Sequence, residues 1–175
     1  MLLLGGCFAV VLATWSVPTV AQESGDDAKD PAFSQKFWNY LQEADYQEEW
    51  SRWPGQNEEF IEGSSPHGAF LKIYINDTVK NNTEDPPVKS LIVKENYNKD
   101  KELVAITPMY RVGNDYDPDH NDWFWAKYLP DGSLDKNPKG MSLAGRVAKG
   151  ADQGCIACHT GAGEDMLFTT DHLSN

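Results

Sequence analysis

The chain has 175 residues and three cysteines, and its 27 acidic and 15 basic side chains give a formal net charge of −12. This length favours a single domain, and the acidity argues against binding to nucleic acid or to an anionic membrane surface. It suits small neutral or cationic ligands, or a basic electron-transfer partner.

The first 21 residues form an apolar run without a charged side chain. Thr19-Val20-Ala21 offers small or modest residues where a signal peptidase cuts, so we predict a signal peptide over 1–21 and export to the periplasm. Lipoprotein anchoring is an alternative, because Leu4-Gly5-Gly6-Cys7 resembles a lipobox. The acidic stretch 22–29 is predicted to be a flexible leader, and 30–175 to form the domain.

The domain opens with a helical pattern and continues with strands. Asp30 and Pro31 suit a helix cap and first turn, and apolar residues then recur at three- and four-residue steps to about Trp50. Period-two patterns follow, which are typical of strands. They cover 69–76, 90–97, 103–112 and 122–129, and 136–150 is predicted to be irregular or weakly helical. Short strands joined by turns predict an α+β fold, mainly an antiparallel β-sheet meander with flanking helices.

The motif Cys155-Ile156-Ala157-Cys158-His159 follows the strands and has the spacing of a c-type haem attachment site. Two thiols at this spacing reach the two vinyl groups of one porphyrin, and the next histidine becomes an axial ligand of the iron. A disulfide, a zinc site and a thiol redox pair are the alternatives. Zinc would need two more ligands at metal-like spacing. We therefore predict one haem c, bound covalently through Cys155 and Cys158 and ligated by His159.

The second axial ligand is less clearly indicated by the sequence. Met109 and Met141 are candidates, although methionines in such positions are more often packing residues. His67, between Pro66 and Gly68, is either the second ligand of a bis-histidine electron carrier or a turn histidine bonded to backbone. The turn histidine is the favoured interpretation.

Further motifs accompany the terminal Cys-x-x-Cys-His. They are Trp53-Pro54-Gly55, Ser65-Pro66-His67-Gly68, Ile75-Asn76, Ile92-Val93-Lys94-Glu95-Asn96-Tyr97 and Asp122-Trp123-Phe124-Trp125-Ala126-Lys127-Tyr128. Together they resemble the cytochrome P-460 family over about residues 38–168. The resemblance implies a β-rich fold, usually a homodimer, and a haem with one histidine ligand and an open distal side. Some members carry a lysine-to-porphyrin bond and oxidise hydroxylamine, whereas the cytochromes c-prime-β lack that bond, have a phenylalanine-lined pocket and bind nitric oxide.

The resemblance also suggests residues for the site. Lys94 occupies the lysine of the Ile-Val-Lys motif and is the candidate for the bond to the porphyrin. Lys89 and Lys72 are the fallbacks for that bond. Phe70 and Tyr74 share a strand face with Lys72, so this face is predicted either to line the distal pocket and contact the cofactor or to pack in the core.

Hydroxylamine oxidation needs a proton acceptor, for which Asp115 and Glu95 are weak candidates. Glu95 is disfavoured because it points away from Lys94 if the strand is regular.

Three functions follow as expectations. The first is a periplasmic haem enzyme that oxidises hydroxylamine and passes electrons to a soluble acceptor cytochrome. The second is a nitric-oxide-binding or detoxifying protein of the c-prime-β kind. The third is a simple electron-transfer cytochrome with a six-coordinate haem.

Overall fold

The computed structural model describes residues 32–56, 58–149 and 154–168. The predicted signal peptide, leader, and helix cap at Asp30 and Pro31 all lie outside these ranges. Within them, no helix has the length and apolar character needed to span a membrane. The described chain is α+β, with an open antiparallel sheet of seven strands and short helices.

The predicted N-terminal helix is divided in two. Helix α1 spans Phe33–Glu43 and buries Phe33, Phe37 and Leu41, which recur at four-residue steps on one face. Asp45 then adopts a left-handed conformation, with a φ of 44°, and a single turn, α2, follows at Tyr46–Glu49. Aspartate tolerates this conformation better than most residues. The prediction of one continuous helix to about Trp50 was therefore wrong.

The four predicted strands occur in the predicted order, and each is one to four residues shorter than predicted. Their bounds are β1 Ser51–Arg52, β2 Ile61–Glu62, β3 Phe70–Ile75, β4 Leu91–Tyr97, β5 Leu103–Arg111, β6 Trp123–Ala126 and β7 Ala144–Gly145. A short helix, α3, spans Asp77–Lys80 between β3 and β4, and α4 spans Cys155–His159. The two-residue strands β1, β2 and β7 were not predicted, since each is too short to show a period.

Sheet order is β1-β3-β4-β5-β6-β7, all antiparallel, and β2 also pairs with β3. The predicted meander is therefore confirmed from β3 to β6. Strand β7 lies in the stretch predicted to be irregular or weakly helical.

Both faces of the sheet are covered, because successive side chains of a strand point to opposite faces. On one face, Tyr74 and Val93 pack with α1 in a cluster of buried residues. On the other, Ile73, Ile75 and Ile92 share a cluster with Ile156 of α4 and with Met166 and Leu167. We call these the α1 face and the α4 face.

Gly68, just before β3, lies where a side chain does not fit. A Cβ atom built there would stand 2.4 Å from the carbonyl oxygen and 2.8 Å from the amide nitrogen of Tyr97. We expect Gly68→Ala to lower the free energy of unfolding by about 1–3 kcal/mol, the usual range for overpacking. Gly161→Ala is the control, because no atom lies within 4 Å of its added Cβ, and it should change stability by less than about 0.5 kcal/mol. Equal midpoints in urea for both variants would contradict the prediction.

Candidate functional site

A cavity of about 640 Å³ opens on the α4 face of the sheet. Its walls come from β4, β5 and β6, from α4, and from the turn at Pro66 and His67. Cys155, Cys158 and His159 all line it. The volume lies within the range of roughly 300–1,000 Å³ that is usual for cofactor sites.

Helix α4 is one turn long and is anchored by Ile156, which is buried in the core of this face. Cys155 and Cys158 are free thiols, the first half-buried and the second exposed. Positions three and four apart lie on one side of a helix, so both cysteines and His159 line the same cavity. Burial raises the pKa of the Cys155 thiol, whereas reactive cysteines of redox pairs have lowered pKa values.

His159 is buried and its imidazole has a defined tautomer. Its Nδ1 lies 2.8 Å from the carbonyl oxygen of Met166, and a carbonyl only accepts, so Nδ1 carries the hydrogen and Nε2 keeps a lone pair. Trp125 and Phe168 contact the ring at centroid distances of 4.7 and 5.4 Å. Burial lowers the pKa of His159, which favours the neutral form that binds metals.

Lys94 lies on β4 and lines the cavity with Cys158 and His159. Burial lowers the pKa of its ammonium group to about 8, and the neighbouring Cys158 opposes the shift. Lys127 also lines the cavity but pairs with Asp135 at 2.8 Å. No carboxylate among the described residues lies within ion-pairing distance of Lys94, so no ion pair with them offsets the effect of burial on its pKa.

His67 also lines the cavity, and its imidazole bonds to a side chain instead of to backbone. Nδ1 of His67 is 3.1 Å from Oδ1 of Asn96. The His67 ring is perpendicular to the His159 ring, with 6.2 Å between centroids. Burial, then the charges of Lys94 and His159, lowers the pKa of His67 to about 3, so the ring is neutral near pH 7. The sequence signal for Asn96 was its position two residues after Lys94, which places both on the same strand face.

Three of the predicted site residues do not line this cavity. Lys72 pairs with Glu95 across β3 and β4, whereas Ile73 pairs with Lys94. Directly opposed residues share a face, so Phe70 and Lys72 lie on the α1 face, away from the cavity. Asp115 is exposed in the loop between β5 and β6 and does not line the cavity.

Glu95 is fully buried on the α1 face, which agrees with the expectation that it points away from Lys94. Its carboxylate accepts hydrogen bonds from Tyr46 at 2.9 Å, from Tyr97 at 2.5 Å and from the Gln47 amide. Burial, followed by the nearby Glu95, raises the pKa values of Tyr46 and Tyr97 and raises that of Tyr74 to about 12. These phenols therefore stay protonated and act as donors.

Comparisons of the chain with family models, with curated proteins and with solved structures find no match. Within the described ranges, no group of three or more histidine, cysteine, aspartate and glutamate side chains is arranged to hold a metal ion. The resemblance to the cytochrome P-460 family therefore depends on the motifs quoted above.

Proposed function

We propose that this chain is a mono-haem c-type cytochrome of the P-460 kind that oxidises hydroxylamine in the periplasm. The observation that carries the proposal is one cavity that brings together two free thiols, a neutral imidazole and a lysine that has no ion pair with the described residues. Its volume and donors fit a covalently bound haem: Cys155 and Cys158 for the two thioether bonds, and Nε2 of His159 for the iron.

A c-type haem bound here supplies one-electron chemistry. The protein positions it and sets its surroundings. Met166 holds the His159 ring through Nδ1, and such a bond orients a ligating histidine and raises its basicity. Lys94 brings a partly neutral amine to the cavity, which is the form needed for bonding to a porphyrin carbon. Replacing a porphyrin C–H bond by a C–N bond to this amine would release two protons and two electrons, so the bond requires a two-electron oxidant such as a peroxide.

The chemistry of the donors also bears on the alternatives. A zinc site needs four ligands in a tetrahedral arrangement, and the raised pKa of Cys155 disfavours a thiol redox pair. The net charge of −12 suits a basic soluble cytochrome as electron acceptor. Homodimer formation and cleavage of the signal peptide belong to the same proposal and rest on the resemblance and on the N-terminal sequence.

The test is production of the full chain with a c-type haem maturation system. We expect a coloured protein whose denatured form keeps its haem by intact mass, and which oxidises hydroxylamine when an artificial electron acceptor is present. Cys155→Ala combined with Cys158→Ala should remove the covalent haem entirely. Cys7→Ala is the matched control, because Cys7 lies in the predicted signal peptide, and it should leave haem content unchanged. A colourless wild-type product would overturn the proposal, and a coloured product inert towards hydroxylamine would overturn the enzymatic part.

A further inference from the structure

Two imidazoles line this cavity, one on α4 and one in the turn before β3. The centroids of His67 and His159 are 6.2 Å apart and their planes are at 90°. A metal–imidazole bond is about 2 Å long, and the ligating nitrogen lies roughly 1 Å from the ring centroid by the geometry of a five-membered ring. Two imidazoles that share one metal are therefore separated by about 6 Å. The observed separation matches this value.

The perpendicular orientation is compatible with a shared metal. Each ligating ring contains its own metal–nitrogen bond, so two rings on one axis are free to take any angle about that axis. Porphyrin iron accepts its two axial ligands along such a line, one from each side of the macrocycle. The 90° angle between the His67 and His159 rings is therefore compatible with coordination of one metal by both.

The hydrogen bonds of Asn96 set the tautomer of His67. Asn96 Nδ2 donates to the carbonyl oxygens of Lys94 and Ala105, at 3.2 and 3.1 Å, and to Thr107 Oγ1 at 3.1 Å. With its amide group directed to these acceptors, Oδ1 is the atom that faces His67 and accepts from Nδ1–H. The lone pair of His67 is therefore on Nε2, as it is in His159.

Both histidines thus have the arrangement of a metal ligand with an outer partner. In each, Nδ1–H donates to a protein oxygen, which fixes the ring and leaves Nε2 for a metal. A turn histidine with a purely structural role would not need the same tautomer and the same free Nε2 as a second imidazole in the same cavity.

We propose that His67 is the second axial ligand of the haem iron that His159 ligates, and that small ligands must displace it to bind. The inference rests on the proposed haem and adds a closed resting state to the site. Hydroxylamine then competes with the His67 side chain, so movement of the turn at 64–67 controls access to the iron. This proposal departs from the open distal side that the family resemblance implies.

The spin state of the purified ferric and ferrous protein tests the inference independently of activity. Wild type is expected to be low-spin in absorption and electron paramagnetic resonance spectra. His67→Ala should be high-spin, should bind carbon monoxide at least about tenfold faster because no ligand must leave first, and should return to low-spin when imidazole is added. His67→Gln provides a second variant of similar size, with the same expected spin change, should the alanine variant fold poorly.

His120→Ala is the matched control, because His120 bonds to Asp117 and does not line the cavity. It should stay low-spin. Met109 lines the cavity and is the rival ligand. A high-spin Met109→Leu variant beside a low-spin His67→Gln would overturn the inference, as would a wild-type protein that is already high-spin. Failure of the proposed function would give a different result from failure of this inference, because the protein would then contain no covalent haem.

Discussion

Replacing Lys94 with alanine is expected to return the ferrous protein to the spectrum of an ordinary c-type haem. The wild-type ferrous Soret band should lie far to the red, and its pyridine haemochrome should be abnormal, if a lysine is bonded to the porphyrin. Lys94 is the lysine that β4 brings into the cavity with a pKa lowered to about 8, so part of its amine is neutral and nucleophilic near that pH. Hydroxylamine oxidation should fall by at least about tenfold, which is about 1.4 kcal/mol in barrier.

Lys127→Ala provides the matched control for this prediction. Lys127 also lines the cavity, but its ammonium group forms an ion pair with Asp135. The red-shifted band should persist in this variant, and intact mass should show the same bond to the haem as in wild type. A wild-type ferrous spectrum that is already ordinary would contradict the cross-link and favour the nitric-oxide-binding alternative.

Replacing Glu95 with alanine is expected to destabilise the protein by about 3–5 kcal/mol. The change leaves the hydroxyls of Tyr46 and Tyr97 and the amide of Gln47 buried without their acceptor, each at a cost of about 1–3 kcal/mol before the site relaxes. It also opens a cavity on the α1 face, because the side chain is fully buried. Urea unfolding should show a lower midpoint with an unchanged slope.

Two other variants define what Glu95 contributes. Glu95→Gln keeps the size and one acceptor oxygen, so its loss should be intermediate. Glu62→Ala removes an exposed carboxylate from β2 and should change stability by less than about 0.5 kcal/mol. A loss below about 1 kcal/mol for Glu95→Ala would show that water or rotated side chains satisfy the three donors.

The general fold was predictable because the patterns that indicate it are local. Period-two alternation located both ends of β3, β4, β5 and β6 to within three residues, and it also placed Lys94 and Glu95 on opposite faces. The break at Asp45 was not predicted, because the apolar pattern continues across it. Helix periodicity reports which face is buried and not whether the backbone continues.

In the candidate site too, some residues were predictable from a local pattern and others were not. Cys155, Cys158 and His159 follow from the spacing of one motif, since three side chains within a single turn reach one cofactor wherever that turn is placed. Whether Phe70 and Lys72 lie on the cavity side of the sheet cannot be inferred from a local motif. They share a face of β3, but whether that face is also the face of Lys94 depends on the pairing of β3 with β4, and a shift of one residue reverses the answer.

The sequence by itself determined the Cys-x-x-Cys-His motif, the strand order and the alternation along each strand, because these depend on neighbours in the chain. Only the tertiary structure decided which side chains meet across the cavity. His67 and His159 are far apart in sequence, and the turn, the sheet and α4 bring their rings to 6.2 Å. Strand register and helix placement set that distance, and both result from packing of the two sheet faces.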